Sequence, residues 1–66
     1  MSLQQVMKAR RKSLALSQQD LAEMAGLSLA TIKDIERGKG NPSMSTVMRI
    51  LEILGIEIQY RVRQTV

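Results

Sequence analysis

Ser17, Gln18, Ser28, Thr31, Lys33, Asp34, Arg37 and Lys39 are the polar side chains whose types and spacing carry chemical content. Ser17 and Ser28 each stand where a helix begins, and serine is a good N-cap. A helix N-terminus offers unbonded N–H groups and a partial positive charge, which suit a phosphate. Gln18 follows the first cap, and Lys33, Arg37 and Lys39 add cations close to the second. This is anion-contact chemistry rather than catalysis. The chain has no histidine and no cysteine, which removes the usual general base, the thiolate nucleophile and the common zinc ligands. Its carboxylates form no convergent pair, and Gly38-Lys39-Gly40 is too short for a phosphate-binding loop. No enzyme activity, cofactor or metal is expected.

The balance of charge agrees. Ten basic residues stand against six acidic ones, a net charge of +4. Lys8, Arg10, Arg11 and Lys12 crowd the first sixteen residues without an acid among them. A basic domain suits a polyanionic partner. At 66 residues the chain is one domain. Apolar residues make up 44% and Tyr60 is the sole aromatic, so the core must be aliphatic. No apolar run approaches a membrane span, and the first five residues lack signal-peptide character. A cytoplasmic protein is expected. There is no room for a sensor domain, so no small-molecule ligand is expected. Chains this small rarely build a deep core alone, and without disulfide or metal the remaining common aid is oligomerisation.

The elements that must position the polar residues are delimited by glycines and one proline. Leu3, Val6, Met7, Arg10 and Leu14 recur at helical spacing and predict a first helix ending near Ser13. Ser17 with Asp20 forms a capping-box-like start for a second helix over 18–25. Leu21, Met24 and Ala25 form its inner face, and Gly26 ends it with Leu27 as the hydrophobic contact. Ser28 caps a third helix with Ile32 and Ile35 inward and Ala30, Thr31, Lys33, Asp34 and Arg37 outward. Asn41-Pro42 is a turn. Ser43 caps a fourth helix with Val47, Ile50, Leu51 and Leu54 inward, ended by Gly55. Met44, Met48 and Ile53 widen its apolar arc beyond what one core needs. Then the period changes. Ile56, Ile58, Tyr60 and Val62 alternate with Glu57, Gln59, Arg61 and Arg63, which reads as a strand. A lone strand needs a partner, and a second copy related by a two-fold axis supplies one. Met48, Ile56, Ile58, Tyr60 and Val62 are the expected dimer contacts. Residues 1–55 form the folded domain and 56–66 the dimerising tail.

The middle of the chain is a helix-turn-helix pattern: two short helices joined through Gly26, with the small Ala22 at their crossing and Leu21, Leu27, Ile32 and Ile35 locking them together. Over about residues 4–55 it resembles the phage-repressor-like regulators related to Cro and the cI repressors, the XRE group. The run Gln18…Leu21-Ala22…Ala25-Gly26-Leu27-Ser28…Thr31-Ile32…Ile35-Glu36-Arg37-Gly38 carries the resemblance. The tail, with Asn41-Pro42-Ser43 before it, is similar to the HipB-type antitoxins. The resemblance implies an all-α, four-helix, lambda-repressor-like domain with a C-terminal strand shared across a homodimer. It implies double-stranded DNA as partner, with Gln18 on a phosphate and buttressing the third helix. It also implies Ser28, Leu29, Ala30, Thr31, Lys33, Asp34 and Arg37 on the DNA face, and Arg11 and Glu36 as an ion pair tying the first helix to the third. Ser28, Lys39 and Arg10 are further phosphate candidates. Leu29 and Ala30 stand where relatives often place glutamine; they can touch thymine methyls but cannot hydrogen-bond a base. Lys33 suits guanine and Asp34 cytosine. Two uses stay open for Asp34, base contact or pairing with a neighbouring cation, and two for Leu29, base contact or covering the core edge. Three functions follow in order: a homodimeric repressor acting at the nucleoid, an antitoxin that also holds a toxin protein, and an interaction module without DNA binding.

Overall fold

Four serines start four helices. The computed structural model describes residues 1–64, and Thr65 and Val66, the last two residues of the expected tail, lie outside the described residues. The helices are α1 (Leu3–Ser13), α2 (Gln18–Ala25), α3 (Leu29–Glu36) and α4 (Met44–Leu54). Ser2, Ser17, Ser28 and Ser43 cap them, each hydroxyl accepting the backbone N–H three residues on. Ser2 with Gln5 and Ser17 with Asp20 complete capping boxes. The first box is spelled in Ser2-Leu3-Gln4-Gln5, a signal the expectation for α1 does not include.

All four helices also end alike. The N–H groups of Leu16, Leu27, Lys39 and Ile56 reach back to the carbonyls of Arg11, Ala22, Asp34 and Leu51 at 3.1, 2.9, 2.8 and 2.9 Å. This is the six-to-one bond of the Schellman ending, which needs a left-handed residue just before the donor. Three of those residues are glycines; the fourth is Ala15, at φ 57°.

The core is Met7 from α1, Leu21, Ala22 and Ala25 from α2, Ile32 and Ile35 from α3, and Ile50, Leu51 and Leu54 from α4. α2 packs on α3 and α4, and α1 packs on the same two helices. Two expectations about inner faces are corrected. Met24 is 56% exposed, because Leu21, Ala22 and Ala25 already fill the inward arc of a two-turn helix. In α1 the buried pair is Met7 and Arg11, one helical turn apart, while Leu3 and Leu14 are 43% and 40% exposed. Burial of an arginine turns that helix away from the purely apolar stripe.

The expected strand over 56–63 is not formed within this chain: residues 56–64 have no regular secondary structure, and no strand exists among the described residues. The physical reason is the one that made it a lone strand. A single copy offers no second backbone with which to form a ladder. Ile56 and Ile58 pack on the core, whereas Tyr60 and Val62 are 81% and 98% exposed. Met44 and Met48 on α4 are also exposed, so the wide apolar arc of that helix is left partly uncovered. Among the described residues no helix is long and apolar enough to cross a membrane.

Candidate nucleic-acid interface

Gly26, Leu27 and Ser28 join α2 to α3. Gly26 takes φ 67°, and Leu27 folds back on the end of α2, half-buried. Ser28 then caps α3 through the Thr31 N–H, 3.1 Å away, and its hydroxyl also meets that of Thr31 at 2.8 Å. Ile32 and Ile35 bury the inner side of α3 against Ala22 and its neighbours. The two residues set a rotation that leaves Ala30, Lys33 and Arg37 exposed, with Leu29, Thr31 and Asp34 half-buried beside them. Leu29 thus keeps part of its surface open at the start of the helix.

The base of α3 is held by charge. Arg11 Nε donates to Glu36 Oε2 at 2.7 Å and Nη2 to Oε1 at 3.0 Å, a two-pronged pair whose side chains are 8% and 2% exposed. Arg11 Nη1 donates to the Leu16 carbonyl at 2.7 Å, so the guanidinium also closes the α1–α2 loop. Gln18 Nε2 donates to Glu36 Oε1 at 3.2 Å. One carboxylate thus gathers α1, α2 and α3. Gln18 commits one of its two amide N–H groups to Glu36.

The N-termini of α2 and α3 differ electrically. Asp20 lies in the first turn of α2. Hydrogen bonds from the Ser17 backbone N–H and then the Ser17 hydroxyl hold its carboxyl below the ordinary carboxylate range. A phosphate approaching that end meets a fixed anion. α3 has no acid in its first turn. Of the two helix starts, α3 offers the better anion site, with Ser28, Leu29 and Ala30 around it.

Asp34 is paired with Arg37 on the surface of α3, with side chains 47% and 60% exposed. Arg37 is thereby partly neutralised. Lys33 and Lys39 then supply the unpaired positive charge of this face among the described residues. Lys39 is placed by its own N–H bond to the Asp34 carbonyl, after Gly38 at φ 73°.

Two arginines take roles that sequence reasoning did not find. Arg10, a phosphate candidate, sends Nε to the Leu54 carbonyl at 2.8 Å and fastens α1 to the end of α4. Arg49 Nη1 donates to the Ala25 carbonyl at 3.1 Å, so α4 holds the last residue of α2 just before the turn. Both place a cation at the negative end of a helix. Their partners lie 44 and 24 residues away, beyond any local pattern. An open groove of about 770 Å³ runs between α4 and the tail, lined by Met48, Arg49, Leu51, Glu52, Ile56 and Ile58 among others. Tyr60 and Val62 are not among its lining residues.

The family model described as helix-turn-helix matches residues 7–61. The chain is 45% identical over 58 residues to the immunity repressor protein of Bacillus phage phi105, covering 88% of this chain and 40% of the repressor. It is 38% identical over 52 residues to an uncharacterized HTH-type transcriptional regulator of Methanothermobacter thermautotrophicus, covering 79% and 75% of the two chains. It is 35% identical over 48 residues to the HTH-type transcriptional regulator PuuR of Escherichia coli, covering 73% of this chain and 26% of that one. The chain thus spans well under half of the phage repressor and of PuuR.

Proposed function

The chain belongs to the helix-turn-helix family of DNA-binding transcriptional regulators that includes phage repressors, and from that premise we propose that it is a homodimeric, sequence-specific repressor acting in the cytoplasm at the nucleoid. Each subunit lays α3 in a major groove, with half-sites roughly 34 Å apart on a near-palindromic operator. Ser28, Gln18 and Lys39 contact phosphates and fix register; Leu29, Ala30, Thr31, Lys33 and Asp34 meet base edges, and Arg37 flanks them. Residues 1–55 carry the reading unit and the tail from Ile56 carries the dimer contact.

The observation that supports this best is the way α3 is held. Its buried end is pinned by the Arg11–Glu36–Gln18 cluster, while its outward start stays exposed and free of acid. A reading helix needs a fixed base and an accessible N-terminal turn. The non-polar start at Leu29 and Ala30 shifts readout toward thymine methyl contact, with Lys33 on guanine.

The test is selection of binding duplexes from a random pool, followed by sedimentation equilibrium of the full chain and of a chain ending at Gly55. The expected result is a selected sequence with two symmetric half-sites, a dimeric full chain and a monomeric shortened one. Failure to enrich any sequence at any salt contradicts DNA reading and favours a bare interaction module. A full chain that is monomeric contradicts the homodimer and points the uncovered tail at a different protein, as in the antitoxin reading.

A further inference from the structure

The tail pattern specifies more than a partner; it specifies a register. Four apolar residues, Ile56, Ile58, Tyr60 and Val62, alternate with Glu57, Gln59, Arg61 and Arg63. Ile56 and Ile58 reach the core beside Met48, but Tyr60 and Val62 on the same face of the pattern have no cover in one copy. In an antiparallel pair, directly opposite residues point to the same face. In a pair related by a two-fold axis, the numbers of opposite residues have a constant sum. An odd sum sets an apolar residue against a polar one at every step and is excluded by the alternation. An even sum puts one residue on the axis.

The residues decide which. An axis at Glu57 or Arg61 puts two like charges face to face, and an axis at Ile58 leaves Glu57 opposite Gln59 with no cation. An axis at Tyr60 sets Ile56 against Gln64. An axis at Gln59 sets Ile56 against Val62, Ile58 against Tyr60 and Glu57 against Arg61. Every apolar side chain then meets an apolar one, and both carboxylates meet a guanidinium. The residue on the axis is a neutral amide.

Resting on the homodimer reading above, we propose that residues 56–62 pair antiparallel with the same residues of a second copy, with Gln59 on the two-fold axis. The ribbon brings the second copy's Tyr60 and Val62 over Ile58 and Ile56, beside the groove of Met48. Two Glu57–Arg61 pairs flank the axis on the solvent face and fix the register.

The chain has no native cysteine, so the register can be read by cross-linking. Opposite residues sit about 4.5–5.5 Å apart at Cα, within disulfide range. In this register the two Tyr60 residues are about 8 Å apart along and across the ribbon, out of range. Full-length Gln59→Cys is expected to oxidise to a covalent dimer, Tyr60→Cys to stay uncross-linked, and a mixture of Glu57→Cys and Arg61→Cys chains to cross-link only with each other. Glu57→Arg is expected to weaken the dimer on the order of tenfold, and adding Arg61→Glu to restore it. Cross-linking through Tyr60→Cys instead, or no cross-linking in a chain that sedimentation shows to be dimeric, overturns the register while leaving the homodimer standing. A monomeric wild-type chain overturns both.

Discussion

Ala15 carries a backbone cost that its three counterparts avoid. It holds φ 57° at the end of α1, where the other helices place glycine. The left-handed conformation costs an L-residue with a Cβ roughly 1–2 kcal/mol, part of which glycine gives back as greater freedom in the unfolded chain. Ala15→Gly is expected to raise the unfolding free energy by about 0.5–1 kcal/mol and Tm by about 4 °C, checked by thermal unfolding. Glu36 lies at the other extreme. It is buried and takes bonds from Arg11 and Gln18, so removing it strands a guanidinium. Glu36→Ala is expected to cost about 3–5 kcal/mol, enough to unfold most of so small a domain, and circular dichroism reads it directly. Replacing Arg11 and Glu36 together by methionine and leucine is expected to lose far less. At this scale the sequence was partly legible. The pairing of Arg11 with Glu36 followed from a resemblance, but the burial of both and the joining of Gln18 to them needed the packed helices. The destination of Arg10 needed them too.

The elements were the most legible part, because their signals are local. A serine, a turn of helix and a glycine lie within reach of each other in sequence; α2, α3 and α4 obey that grammar, and α1 departs from it only in ending on Ala15. Where the signal was contact across the fold, it could not be read. Met24 has the right spacing to face inward and is exposed, since α2 is too short to need a fourth inner residue. Arg49 closes the end of α2 from another helix, with nothing in its neighbourhood to announce it. Arg49→Met is expected to cost about 1–2 kcal/mol in denaturant unfolding, and Arg49→Lys less, as a cation remains near the helix end. The start of α2 makes a pH-dependent contribution. Asp20 is held below its ordinary range by the Ser17 bonds, so folding favours its charged form. Its stabilisation is present above the ordinary carboxylate range and is lost as pH falls through the lowered folded value. Stability curves of the wild type and Asp20→Asn are expected to converge in acid and separate above pH 5, with the wild type the more stable.

The whole molecule is a reading head with one unsatisfied side. Its core closes around four aliphatic helices, as the pattern of Leu and Ile required, and the chain measures 46 × 24 × 18 Å. Among the described residues no helix exceeds eleven residues, about 17 Å. The tail shows where a single sequence stops being enough. Its alternation was plain, but a ladder needs two backbones, and one chain folded alone supplies one. The reading face is the converse case. Which residues point outward was legible from Ile32 and Ile35, and which of them are paired with one another was not: the sequence left open whether Asp34 meets a neighbouring cation, and the folded helix sets it against Arg37.

The central claim is that the exposed start of α3 chooses the bases. The most direct measurement is duplex selection from a random pool with the wild type and with Lys33→Ala, an exposed position whose loss leaves the core intact. The account expects both proteins to select the same half-site except at one position, where the wild type requires guanine and the variant accepts any base, with about 1–3 kcal/mol of discrimination lost there. Identical selected sequences from the two proteins, guanine included, would contradict it.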